Sequence, residues 1–373
     1  RDSMPQTALE TALANAYPQD LEKLAVDLLS ERGYDVEPTG TTGADGGLDA
    51  RLADGDRVGA LHVSRTTSDR LRDKVTTDAE KVADHDQRYD FFVFVTTADP
   101  QGAFRRRLES DLQDTHGWKV DIWAREQLRN ALMTDHQQLA REHLGVDPGT
   151  RLDDQQEAIE ALRDDRLDRI TTRDALPNSL PDGPALAIHV IPNGAFSTTY
   201  VKHPDDLPPP PLFGHSQPAG FPTSLGDGVV AYNSRVRQEH PDYVYLDESG
   251  WIEAVSTEFF LPSADGAGGR IDFEFDRAVW TTVRGALHPL ADLGVKPPVY
   301  VSVALLDVAD YTFETGSRLR FTPQPFGDRY APSPTGIETT TPDAFEPTTL
   351  KPLLDRFWYE AGRSNGSPHF SNS

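Results

Sequence analysis

The sequence has no cysteine among its 373 residues, which excludes disulfide bonds, thiol catalysis and cysteine-ligated zinc sites. It has no stretch near the roughly 20 consecutive apolar residues that a membrane-spanning helix needs. No apolar signal region opens the chain. These absences predict a cytoplasmic protein without membrane association, and the chain is long enough for two ordinary domains with separate cores.

Lysine is scarce, whereas negative charge is abundant along the whole chain. Aspartate and glutamate number 60 against 36 lysine and arginine residues, which leaves a formal charge of -24. The only lysines are Lys23, Lys74, Lys81, Lys119, Lys202, Lys296 and Lys351. This composition is typical of haloarchaeal proteins, because a dense carboxylate surface stays hydrated in molar salt, where charge repulsion is screened to within roughly 3 Å.

An acidic chain normally argues against a nucleic-acid partner, because phosphate binding depends on lysine and arginine and weakens as salt rises. That inference loses force in a salt-adapted protein, where a local basic stripe on an acidic surface is the feature to look for. Two cationic clusters are candidates for DNA phosphate contacts. They are Arg65, Arg70, Arg72 and Lys74, and the triplet Arg105, Arg106 and Arg107. The alternative is a face of surface salt bridges.

Hydrophobic periodicity predicts a layered α/β domain in the first part of the chain. Residues 18–32 have one apolar helical face that ends at Gly33, and residues 34–64 favour a meander of three short strands. Helix and strand patterns then alternate up to Gly145. We predict an N-terminal extension 1–17, an α/β domain 18–147, a connecting helix and linker 148–184, an α+β domain 185–362 and a disordered tail 363–373.

Acidic residues of the first helix and the following turn are candidates for a metal site. Glu22 lies on the predicted helix, and Asp45 and Asp49 flank the paired glycines Gly46 and Gly47. Metal-dependent phosphodiester cleavage needs such carboxylates, which hold a hard cation against the scissile phosphate. The next strand presents His62, Val63, Ser64 and Arg65. By strand alternation, His62 and Ser64 point to one side of the sheet and the other two to the opposite side.

Three segments resemble the opening of the Mrr-like restriction endonucleases, which belong to the PD-(D/E)xK nuclease superfamily. The segments are Leu21-Glu22-x-Leu24, Leu28-Leu29-x-x-x-Gly33-Tyr34-x-Val36 and Thr39-Gly40-x-x-Gly43-Ala44-Asp45-Gly46-Gly47-Leu48-Asp49. The resemblance covers roughly residues 18–145 and implies a restriction-endonuclease-like α/β sandwich with a mixed sheet, followed by the second, α+β domain. It also implies that Glu22 and Asp49 are active-site acids, that Mg²⁺ is the metal of an active enzyme, and that DNA is the partner.

The strand after Asp49 departs from the family pattern, which reads Gln-x-Lys. Alignment places His62 at the glutamine position and Ser64 at the lysine position, with Arg65 one place late. Arginine stays charged and is a poor proton shuttle, and serine offers no charge. His62 could bind metal or act as a base. We therefore predict a degenerate site that is catalytically weakened or inactive, unless a lysine from elsewhere, with Lys74 closest in sequence, takes the role.

A second resemblance covers roughly residues 184–310. The segments that carry it are Ala187-Ile188-His189-Val190-Ile191-Pro192, Ala195-Phe196-Ser197, Gly250-Trp251-Ile252-Glu253-Ala254-Val255 and Leu293-Gly294-Val295-x-Pro297-Pro298-Val299. They resemble a region that follows the DNA-binding module in Schlafen AlbA-type proteins of prokaryotes. The resemblance implies a regulatory or sensing attachment and assigns no catalytic residue.

Three functions stay open at this point. The first is a DNA-associated protein of restriction or defence with a degenerate nuclease site that is weakened or inactive. This protein would act as a homodimer or with a partner protein through its C-terminal domain. The second is an active Mg²⁺-dependent endodeoxyribonuclease. The third is a protein-interaction scaffold that does not bind nucleic acid, since a fold does not dictate its function.

Overall fold

The computed structural model describes residues 7–39, 48–85, 87–149, 152–196, 202–232, 240–263, 268–314 and 321–370. The chain divides into two compact units, Arg1–Leu152 and Asp153–Ser373. Within the described ranges, no helix is both long enough and apolar enough to cross a membrane.

The first unit is built from six helices and five strands in its described part. The helices are α1 (Ala8–Asn15), α2 (Pro18–Glu31), α3 (Leu71–Ala83), α4 (Gly102–His116), α5 (Arg125–Thr134) and α6 (Gln137–Leu144). The strands are β1 (Asp35–Pro38), β2 (Ala50–Asp54), β3 (Arg57–Ser64), β4 (Phe91–Thr96) and β5 (Lys119–Trp123). The sequence predicts most of these elements to within a few residues.

The five strands form one mixed sheet in the order β1-β2-β3-β4-β5. The first three strands run antiparallel as the predicted meander, and β3, β4 and β5 run parallel. One face of the sheet packs against α1, α2, α5 and α6, and the other face packs against α3 and α4. Strand β4 is buried along its whole length, as its run of aromatic and β-branched residues requires. The predicted α/β sandwich with a mixed sheet is confirmed.

Two features of this unit differ from the sequence prediction. Residues 8–15, which fall in the predicted extension, form helix α1, whose Leu9 and Leu13 are fully buried. A capping box starts this helix, since Thr7 and Glu10 exchange hydrogen bonds between side chain and backbone. The sequence pattern of residues 125–144 favours one continuous helix, but these residues form two. The amide groups of Asp135 and His136 both donate to the Ala131 carbonyl and end α5.

The second unit is an α+β domain, as predicted. Its helices are α7 (Leu152–Thr172), α8 (Phe275–Asp292) and α9 (Lys351–Glu360). Its strands are β6 (Ala185–Pro192), β7 (Thr223–Leu225), β8 (Gly228–Ala231), β9 (Asp242–Asp247), β10 (Ile252–Ser256), β11 (Phe260–Pro262), β12 (Gly269–Ile271), β13 (Val299–Leu306), β14 (Tyr311–Phe313), β15 (Arg329–Tyr330) and β16 (Thr335–Ile337).

The main sheet of this unit has the order β15-β13-β6-β10-β9-β8-β7, with β16 also paired to β13. Helices α8 and α9 cover one face of the sheet, and α7 packs on the other face. The sequence predicts α7 as an exposed connector, yet its Ile159, Leu167 and Ile170 are almost fully buried. Helix α7 therefore belongs to the core of the second unit.

The C-terminal segment 363–370, part of the predicted disordered tail, is held against this domain. Ser367 is fully buried. Its amide group donates to Asp355 Oδ1 at 2.7 Å, and its hydroxyl group hydrogen-bonds Asp276 Oδ2. Trp358 Nε1 also donates to Asp276, at 3.0 Å to Oδ1 and 2.9 Å to Oδ2. Buried carboxylates thus fix a segment whose composition alone suggests a free end.

Candidate active site at the end of strand β3

Backbone hydrogen bonds fix Asp49 immediately before β2. Its amide group donates to the Leu61 carbonyl at 3.0 Å, and its own carbonyl accepts from the Thr39 amide at 3.1 Å. The Thr39 hydroxyl group hydrogen-bonds the Leu48 carbonyl as well. Asp49 therefore sits in a defined position between β1 and β3. Residues 40–47, including Asp45 and the paired glycines, lie outside the described residues.

The carboxylate of Asp49 points at the C-terminal end of β3. Its Oδ2 atom accepts a hydrogen bond of 2.6 Å from the Val63 amide, and its side chain is one-quarter exposed. The pKa of Asp49 is raised to about 6, chiefly by burial and in smaller part by the charges of Glu22 and Asp78. The Val63 amide and the Lys74 ammonium oppose this rise. The charges that act on Asp49 are thus those of two other carboxylates and one lysine.

Glu22 reaches this region from the opposite layer. It lies on α2, which packs against β3, and it is half-buried. Its charge raises the pKa of Asp49 after the larger effects of burial and the Val63 hydrogen bond. The two acids named by the sequence are therefore close enough for the charge of one to affect the pKa of the other.

His62 is buried on the α3 side of the sheet. Its ring meets that of Phe92 edge to face at 5.9 Å, and its side chain is 6% exposed. The pKa of His62 is lowered to about 4, chiefly by burial. The charge of Asp78 opposes this change, and the charges of Lys74 and Lys81 add to it. His62 Nδ1 lies 3.9 Å from Asp49 Oδ2 and also 3.9 Å from Asp78 Oδ2. His62 is consequently neutral at neutral pH, with one ring nitrogen near two carboxylates.

Helix α3 contributes a group that the sequence analysis did not identify. Asp78 is fully buried, with Lys74 Nζ 2.7 Å from its Oδ2 atom and Lys81 Nζ 2.8 Å from its Oδ1 atom. Burial raises the pKa of Asp78, but the hydrogen bonds from the two lysines outweigh it and the pKa falls below the ordinary value. The ionised Asp78 thereby holds Lys74 next to the Asp49 region.

The remaining candidate residues are distributed around the end of β3 and the start of α3. Ser64 is the last residue of β3 and is half-buried, whereas Arg65 and Arg70 are exposed. Arg72 pairs with Asp111 of α4 at 3.1 Å and lies over the Phe104 ring. The structure therefore brings Glu22, Asp49, His62 and Lys74 together and directs Arg72 to another partner.

The arginine triplet of α4 includes one residue with a structural role. Arg105 pairs with Glu109 at 2.7 Å and donates to the Ile122 carbonyl at 3.2 Å. Its guanidinium group therefore links α4 to β5. The salt-bridged alternative holds for this residue.

The chemistry of the two acids at this position suits a hard divalent cation. Glu22 and Asp49 both offer carboxylate oxygens, which Mg²⁺ prefers. A bound cation would remove the repulsion from Glu22 that contributes to the raised pKa of Asp49. A separate group, Asp27, Glu142 and His143, has its potential ligand atoms within 4.8 Å of one another. There His143 Nε2 hydrogen-bonds Asp27 Oδ2 at 2.7 Å and joins α6 to α2.

Comparison with known proteins identifies the first unit. Residues 13–132 match the Mrr_cat family model, which is described as a restriction endonuclease. This segment runs from α1 into α5 and contains Glu22, Asp49 and Lys74. The predicted resemblance to Mrr-like restriction endonucleases is confirmed for this domain. No curated protein matches the chain.

Proposed function

We propose, from the restriction-endonuclease domain at residues 13–132, that this protein is a divalent-metal-dependent endonuclease that cleaves DNA. The observation that carries the proposal is the position of Lys74. The strand that should supply a lysine has Ser64 instead, but the Lys74 ammonium approaches the same region from α3 and acts electrostatically on Asp49. A lysine from a helix would then replace the missing lysine of the strand.

Each residue of the site has a role that follows from its charge and position. Glu22 and Asp49 would hold Mg²⁺, which in such sites activates water and neutralises charge on the scissile phosphate. Lys74 would pair with that phosphate and oppose the charge that develops on it. Exposed Arg65 and Arg70 would contact backbone phosphates and fix the position of the duplex. We assign no proton transfer to neutral His62 or to Ser64.

The wider biology belongs to the same proposal. An Mrr-like endonuclease in a salt-adapted cell would act in restriction or defence against foreign DNA. Cutting both strands of a duplex requires two sites, which a homodimer would supply, and the second unit would bind a partner protein or sense a signal. The acidic composition supports an assay at high KCl.

The test of the proposal is cleavage of plasmid DNA, methylated and unmethylated, at high KCl with Mg²⁺ or Mn²⁺. We expect cutting that depends on the metal and stops when EDTA is added. If DNA is bound but never cut, the domain recognises DNA with a degenerate site, the first function left open by the sequence. If DNA is not bound even in low salt, the protein is an interaction scaffold.

Lys74 can be tested by chemical rescue, because the chain has no cysteine of its own. We expect Lys74→Cys to lower the cleavage rate roughly a hundred-fold, the loss typical of one removed electrostatic donor. Alkylation of the single thiol with 2-bromoethylamine rebuilds a lysine-like ammonium group and should restore most of the rate. The measurement is single-turnover plasmid nicking before and after alkylation.

Lys119→Cys, carried through the same alkylation, is the matched control. Lys119 starts β5 and pairs with Phe91, at the end of the parallel strands opposite to Ser64. Its variant should cleave like the wild type throughout. A Lys74→Cys variant with an undiminished rate, or one that alkylation fails to restore, would show that another group supplies the cation.

A further inference from the structure

Asp78 binds two lysines at once in a chain that has only seven. It occupies the apolar side of α3 among Val75, Ala79 and Val82, all of them buried. A buried carboxylate at such a position is unfavourable unless it is paired and hydrogen-bonded. An apolar residue would suit the packing better, so packing of the core does not explain the carboxylate at this position.

The charge balance of this cluster points towards the surface. One lysine would suffice to neutralise Asp78, so the second leaves a net positive charge. The side chains of Lys74 and Lys81 are 40% and 48% exposed, which places both ammonium groups at the edge of the protein. Since each nitrogen contacts one oxygen of the same carboxylate, the two charges are held at a fixed separation along α3.

The cluster is also joined to the proposed active site. The Nδ1 atom of His62 lies near both acids, at 3.9 Å from an oxygen of Asp49 and at 3.9 Å from an oxygen of Asp78. Lys74 contacts the Asp78 oxygen that faces His62, whereas Lys81 contacts the other oxygen. Lys74 is thereby directed to the Asp49 side, and Lys81 lies further along the helix.

We propose that Asp78 is a positioning residue for DNA cleavage, which holds Lys74 for the scissile phosphate and Lys81 for a neighbouring phosphate of the same strand. The inference rests on the proposed nuclease function and names the second phosphate contact of that site. Asp78 itself touches neither the DNA nor the metal. Its effect is to fix two flexible side chains before the DNA arrives.

The test compares cleavage and binding in Asp78→Asn. We expect the single-turnover rate to fall on the order of tenfold or more, because Lys74 is no longer held in place. The affinity for a DNA duplex, measured without metal, should stay the same or increase a few-fold, since a negative charge beneath the two lysines is removed. A purely structural role would instead weaken binding and cleavage together.

Three further variants complete the comparison. Asp78→Glu restores the charge and should recover much of the rate. Asp73→Asn makes the same chemical change at an exposed position of α3 and should cleave like the wild type. Lys81→Gln should bind DNA more weakly, with a salt dependence reduced by about one phosphate contact.

The outcomes separate this inference from the proposed function. Wild-type cleavage by Asp78→Asn would overturn the positioning role, and unchanged binding by Lys81→Gln would overturn the second phosphate contact. Asp78→Asn could fail to fold, which its thermal unfolding would reveal. In that case, a wild-type rate in Asp78→Glu together with weaker binding by Lys81→Gln supports the inference. Loss of either result opposes it. If the wild type cuts no DNA, the nuclease proposal fails, while the binding measurements still test the lysine contacts.

Discussion

Asp49→Asn is expected to lower DNA cleavage on the order of a thousand-fold, as removal of a ligand from a catalytic metal site does. Asparagine keeps the shape of the side chain and an oxygen that can accept the Val63 amide, so the local backbone should be preserved. It removes the negative charge that a divalent cation requires. The measurement is plasmid cleavage by the variant and the wild type at high KCl over a range of Mg²⁺ concentrations.

Asp90→Asn is the matched control for this substitution. The Asp90 carboxylate also accepts an amide hydrogen bond from β3, from Val58 at 2.9 Å, but at the opposite end of the strand. It should leave cleavage unchanged. DNA binding by Asp49→Asn should persist, because the substitution removes no positively charged side chain. Cleavage by Asp49→Asn at the wild-type rate would remove the argument for a metal site at this position.

Glu253→Ala is expected to destabilise the second unit by about 3–5 kcal/mol, as the loss of one partner from a buried ion pair does. Glu253 is fully buried and accepts from Arg166 at 2.9 and 2.7 Å, from His189 at 3.0 Å and from the Tyr243 hydroxyl group at 2.6 Å. Its removal leaves the Arg166 guanidinium group buried without its carboxylate. The loss in free energy of unfolding is measured by urea unfolding, with hydrogen exchange of peptides from β6 and β10 as the probe of the second unit.

The control lies on the same helix as Arg166. Asp168 pairs with Arg329 at 2.7 Å, but its side chain is 73% exposed. Asp168→Ala should therefore lower the free energy of unfolding by less than about 1 kcal/mol. An equally small loss of stability for Glu253→Ala would show that the hydrogen bonds of Glu253 with Arg166, His189 and Tyr243 do not hold α7 to the sheet.

The same carboxylate predicts the response of the domain to acid. Burial alone would raise the pKa of Glu253, but the hydrogen bonds from Arg166 and His189 lower it from 4.5 to about 2. A group with a lowered pKa stabilises the folded state above its unfolded pKa. The contribution of Glu253 is therefore fully present above pH 4.5 and declines as the pH falls towards 2.

The sequence predicts the first unit well where a strand or helix follows one clear pattern. Strand β4 is an uninterrupted apolar run, and the end of α2 is marked by Gly33, whose φ of +93° favours glycine. The two acids Glu22 and Asp49 could be named because their spacing resembles a known family. Their electrostatic coupling depends on the packing of α2 against β3, which no spacing reveals.

Charged residues that occupy apolar helix positions could not be predicted from the sequence pattern. On α3, Leu71, Val75, Asp78 and Val82 share one buried side, so the carboxylate interrupts the apolar pattern. On α7, Arg163 and Arg166 occupy the side that also carries Ile159 and Ile170. Both arginines are buried, and each binds a partner that is distant in sequence. Arg163 donates to the Pro332 carbonyl, and Arg166 donates to the Glu253 carboxylate. Periodicity therefore predicts an exposed helix where the structure has a buried one.

Because α7 packs into the core of the second unit, it must accompany that domain in any domain transfer or fusion. A piece that starts after Thr172 would lose Arg166 and leave a carboxylate without its main partner in the middle of a sheet. A piece that starts at Asp153 keeps the helix and its sheet together. If the C-terminal domain has been transferred between proteins, or is to be fused to another nuclease, the transferable segment includes the helix that resembles a linker.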